Sequence, residues 1–113
     1  MSLVEKIRKA RESVVELGGF KFTLRRPTAL EVIEIRVSDQ GRGRAVLPYV
    51  IGWEGVTTLA LGLPGGDSHP LAFDPTVRDE WLTDRLDLLQ PLADAVFAAV
   101  AAHEATLEDA KKN

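Results

Sequence analysis

The chain has 113 residues, a formal charge of −3, 45% hydrophobic and 27% charged residues, and no cysteine. This length suits one domain that buries about two-thirds of its unfolded surface, and the missing cysteines exclude a disulfide framework, thiol catalysis and zinc ribbons. The N-terminus has no apolar stretch between its charges and no apolar run approaches the roughly 20 residues of a bilayer span, so neither signal peptide nor membrane contact is expected.

Ser2-Leu3-Val4-Glu5 reads as a capping box that opens a short helix to about Glu12, with Leu3, Ile7 and Ala10 at helical spacing. "SVVELGGFKFTL" predicts a β-hairpin, about 13–17 and 20–25, around a Gly18-Gly19 turn. That turn sets Leu17 against Phe20, Val15 against Phe22 and Ser13 against Leu24 on a mostly apolar face. Glu16 then opposes Lys21, and Val14 opposes Thr23, on the other. A second helix follows Pro27, with Thr28 and Glu31 as a capping box, Leu30, Ile33 and Val37 as its expected buried stripe, and Gly41 as its stop. The segment 44–63 is ambiguous. A short helix from about Pro48 to Gly52 is the preferred reading, a strand the alternative, with Gly52 and Gly55 as helix stop and turn.

A Pro- and Gly-punctuated loop runs to "LAF", and Asp74-Pro75 then opens a helix carrying Val77 and Trp81. "RLDLLQPL" breaks it. A long helix is predicted over about 88–110, with Leu89, Leu92, Val96, Val100 and Leu107 as its apolar stripe. Ala98, Ala101, Ala102 and Ala105 lie on its other side. They either admit a second helix closely or are there because alanine is the best helix former. The whole is a single α+β domain, 1–113, helix-dominated, with a short frayed C-terminal tail.

Charge is uneven along this chain. Residues 1–26 hold seven basic side chains against three acids, whereas residues 67–113 hold four against ten. A basic head and an acidic tail favour a charged partner or head-to-tail self-association.

No set of residues assembles a reaction. His69 sits in a turn-rich loop without a specified partner, and His103 falls at the edge of the long helix's stripe. Asp79, Glu80 and Asp84 read as a solvated helix surface. "GRGRAV" lacks the Lys-Ser/Thr of a phosphate loop. Arg25-Arg26 and the rest of the basic head lack aromatic interleaving, so no nucleic-acid partner is expected. Catalytic, cofactor and metal sites are therefore expected to be absent, and the chain is read as a binding protein, not an enzyme. Trp53, Phe73 and Trp81, with Ala98, Ala101, Ala102 and Ala105, are the candidate partner or self-interface residues; for the three rings a core position is the alternative, and for Trp81, beside Val77, the preferred one.

Taken in order, "FKFTLRRPTALE", "VIGWEGV", the Pro-Gly-Gly loop with "LAFDPTVRDEWLTDR", and "HEATLEDAKKN" resemble the small tail assembly chaperones of long-tailed bacteriophages. The resemblance covers about Gly19 to the end. It rests on the order of four motifs, each weak alone, and the sequence departs from the pattern at Pro48 and at Leu88-Leu89. It implies a protein of the infected host's cytoplasm that coats the apolar tape measure protein and is absent from the finished virion. It also implies recruitment of tail tube protein through a longer frameshifted form, for which Lys111-Lys112-Asn113 offers a slippery codon run. A structural virion component, such as a head–tail connector or tail completion protein, and a small nucleic-acid-binding regulator are the alternatives from other classes.

Overall fold

Two glycines with positive φ, Gly18 at 60° and Gly19 at 85°, close the hairpin between β1 (Glu12–Leu17) and β2 (Phe20–Arg25). Glycine takes both angles without strain, and the turn they make matches the twist of the strands. The register is the expected one throughout, from Leu17 with Phe20 to Ser13 with Leu24. The computed structural model describes residues 1–112. In it a preceding helix, α1 (Leu3–Lys9), is capped by Ser2, whose hydroxyl accepts the Glu5 amide. No residue of α1 is buried.

Pro27 turns the chain into α2 (Ala29–Val37). Its capping box is complete, Thr28 and Glu31 each accepting the other's backbone amide. The expected buried stripe is corrected here. Leu30, Ile33 and Val37 are exposed, while Val32 is buried and Ile35 packs against the core. Both sets satisfy helical spacing, and a tertiary contact selects between them. Glu31 reaches Arg25 at the end of β2 with two parallel hydrogen bonds of 2.9 and 3.0 Å. That pairing rotates the Glu31–Val32–Ile35 side inward and turns the opposite side to solvent.

The region around Pro48 is also corrected. Helix α3 (Arg42–Val46) passes into a single 3-10 turn, Leu47–Tyr49, and then into β3 (Val50–Glu54), not a helix over 48–52. β3 pairs antiparallel with β2, giving the sheet order β1-β2-β3. Its register shifts by one residue between Thr23 and Leu24, leaving Ile51 as a bulge. Gly52 therefore lies within a strand opposite Thr23 and is not a helix stop, while Gly55, at φ 86°, is the turn.

α4 (Pro75–Leu82) begins where Asp74 caps the Thr76 and Val77 amides, and α5 (Leu86–Lys112) follows three residues after it. α5 starts two residues earlier than expected and runs through Pro91, whose ring removes one helical hydrogen bond without ending it. The architecture is α+β and helix-rich. One face of the sheet, carrying Phe22 and Leu24 of β2 with Val50 and Trp53 of β3, packs with Val46 and Val56, with Trp81 and Leu82 of α4, and with Leu88, Leu89, Leu92, Ala93 and Val96 of α5. Burial on α5 stops at Val96. Val100 is half-buried and Leu107 is 49% exposed, so the predicted stripe continues beyond the body it packs on. The molecule measures 57 × 36 × 21 Å.

Candidate functional site

The three aromatic candidates are core residues first. Trp53 is 9% exposed and its indole Nε1 donates to the Leu71 carbonyl at 3.0 Å. Its ring meets Phe73 edge-on at 4.9 Å and Trp81 at 5.8 Å. Trp81 is 6% exposed and also packs edge-on against Phe20 at 5.2 Å, while Phe73 is half-buried beside Trp53. Of the two positions the sequence left open to these rings, core or interface, the structure takes the core, as preferred for Trp81. The bulge at Ile51 shifts the alternation of β3 by one residue, so Trp53 faces inward with Val50, and the loop end at Leu71–Phe73 closes over it. Among the described residues, Trp81 Nε1 is buried with no hydrogen-bond partner.

The alanine candidates have the opposite fate. Ala98, Ala101, Ala102 and Ala105 are all exposed on the distal half of α5. Exposed apolar residues recur on two other helices, Leu3, Val4 and Ile7 on α1 and Leu30, Ile33 and Val37 on α2. The α2 stripe, expected in the core, is instead surface, a placement that helical spacing alone does not decide. Helix α5 also departs from the expectation that no segment is long and apolar enough to cross a membrane. It meets that criterion by length and composition, at a mean hydropathy of 1.2 over its most apolar 18 residues. Its first turns are the core-packing face of the domain, and Asp94 within it bonds Arg42 of α3 at 2.6 Å.

A second feature was not legible in the sequence. The loop between β3 and α4 is folded, with the Thr58 hydroxyl accepting the Asp67 amide at 2.8 Å and the Leu59 amide donating to the Asp67 carbonyl at 3.1 Å. Gly66 packs so tightly that an added Cβ would lie 2.8 Å from Thr58 and Leu59 backbone atoms. This loop holds Leu61 and Leu63 across from Val77 and Trp81 of α4, forming a cleft of about 290 Å³ with Glu80 and Asp84 at its edge.

The polar clusters are structural. Arg25 spans Glu31 and the Tyr49 ring, 4.7 Å from its centroid. Its hydrogen bonds hold the Glu31 carboxyl at about 2, well below the ordinary value. The same bonds raise Arg25, and burial raises Tyr49. Buried Arg78 donates to the Val50 carbonyl at 3.1 Å and to Asp79 at 2.8 Å, fastening α4 to β3. His69 is exposed beside Asp67, and His103 lines a shallow groove between α5 and the start of β1. Among the described residues, no group of three His, Asp or Glu side chains is placed to hold a metal ion. Comparison of the chain with protein-family models, curated proteins and solved structures finds no match in any of the three.

Proposed function

We propose that this protein is an assembly chaperone of a long-tailed bacteriophage, acting in the infected cell's cytoplasm to cover the apolar helices of the tape measure protein. One observation carries the reading: apolar residues at helical spacing remain uncovered on a domain whose core is already complete. On α2 these are Leu30, Ile33 and Val37. On the distal half of α5 they are the alanines and Leu107. Such surface is costly in a monomer and is what a helical client with its own apolar stripe would bury. Small residues on α5 let a client helix approach closely, and the larger ones on α2 supply area. The order of sequence motifs supports the same assignment.

Co-expression tests it. The tape measure protein made with this chain is expected to stay in the soluble fraction, and to precipitate when made alone. Ile33→Glu and Ala102→Glu place a charge on each surface without touching the core. Each is expected to change folding stability by no more than about 0.5 kcal/mol and to abolish the solubilising effect. Unchanged client solubility with and without the chain, or recovery of the chain from purified virions, would overturn the assignment in favour of a structural component.

A further inference from the structure

We propose that the cleft between α4 and the 57–70 loop binds helix α1 of a second copy of this chain. The two surfaces are complementary in apolar character and charge. The cleft is lined by the apolar side chains of Leu61, Leu63, Val77 and Trp81, with Thr76 and the exposed acids Glu80 and Asp84. α1 presents Leu3, Val4 and Ile7 together, and on the helical wheel Lys6 and Arg8 flank that stripe on its two sides. Neither the cleft's two acids nor the bases of α1 form an ion pair within the chain among the described residues. A helix in a groove with paired charges at the rim satisfies both surfaces at once.

The chain cannot fill its own cleft. Residues 10–13, just after α1, line a groove with Ala99, Ala102, His103 and Thr106 of α5. The cleft belongs to α4, which ends just before Leu86, where α5 begins. From there to Ala102 the helix rises about 24 Å. α1 is seven residues long and only two residues separate it from β1. Head and cleft thus lie towards opposite ends of α5, and a contact between them joins copies head to tail. Such an interface is heterologous and extends into an open chain or a ring. This inference does not rest on the chaperone reading.

The chain contains no cysteine, so introduced thiols report without background. An Ile7→Cys variant mixed with a Leu63→Cys variant under mild oxidation is expected to form disulfide dimers, at least about tenfold more than either variant alone. The double variant Ile7→Cys/Leu63→Cys is expected to give a ladder of covalent oligomers. By sedimentation, the Lys6→Glu/Arg8→Glu and Glu80→Lys/Asp84→Lys variants should each self-associate about tenfold more weakly than wild type, and an equimolar mixture of the two should restore association. A mixture as weak as its components, no cross-link in the mixed pair, or closure of the double variant only within single chains would overturn the proposal.

Discussion

Glu31 accepts three hydrogen bonds, two from the Arg25 guanidinium and one from the Thr28 amide. The first two fix how α2 sits against the sheet, and the third caps it. The carboxyl is held at about 2, chiefly by Arg25 and against the opposing effect of burial. Because its folded value lies below its unfolded one, the ionised form stabilises the fold fully above about pH 4.5, the ordinary value, and that contribution disappears as the pH falls towards 2. Glu31→Gln keeps the shape and removes the charge. It is expected to cost about 1–2 kcal/mol at neutral pH, with the gap to wild type shrinking through that acidic window in urea denaturation. A gap that stays constant with pH would remove the ion pair as its cause. Neither the pair nor the inward rotation of Val32 and Ile35 was legible in the sequence. The capping box was, because its partners are three residues apart. Arg25 is six residues away across a proline corner, and local spacing fits two opposite helix faces equally well.

Hairpin and third strand show the same division between elements. The register of β1 with β2 follows from a two-residue turn and alternation on either side, all within thirteen residues, so it could be read directly. β3 could not. Its partner strand lies some thirty residues back, its register shifts at a bulge, and Gly52 leaves a gap in the alternation. Two glycine substitutions test this placement. Gly52 has no positive φ, and an added Cβ would meet Thr23 Cβ at 3.4 Å, an ordinary contact. Gly52→Ala is therefore expected to change stability by less than about 0.5 kcal/mol, as suits a strand position. Gly66→Ala drives a methyl group into Thr58 and Leu59 backbone atoms at 2.8 Å and is expected to cost about 1–3 kcal/mol. Thermal denaturation compares the two. A large loss from Gly52→Ala would contradict its position in β3. For a related reason the sequence left the aromatic candidates open between core and interface. Trp53 and Trp81 look isolated along the chain, yet β3 and α4 bring them within 5.8 Å of each other.

At the scale of the molecule, the packed body and the far end of α5 are held by different forces. Leu88 to Val96 lie in the core. From Ala101 to Lys112 every residue is exposed except half-buried His103, and the helix there rests mainly on its own backbone bonds. An isolated helical stretch of about 12 residues is marginal in water even when alanine-rich. The free protein should therefore melt in two stages, losing distal helicity gradually at temperatures where the body is intact. In hydrogen–deuterium exchange, amides beyond about residue 102 should exchange orders of magnitude faster than those of Leu92–Val96. Equal protection along the whole helix would contradict this. A partner that clamps the far end must first hold it straight, so part of its contact energy goes into ordering that segment. Capture would then be weaker per unit of buried surface and easier to reverse, and the mark of a bound partner would be slowed exchange at the tip of α5 before any change in the core.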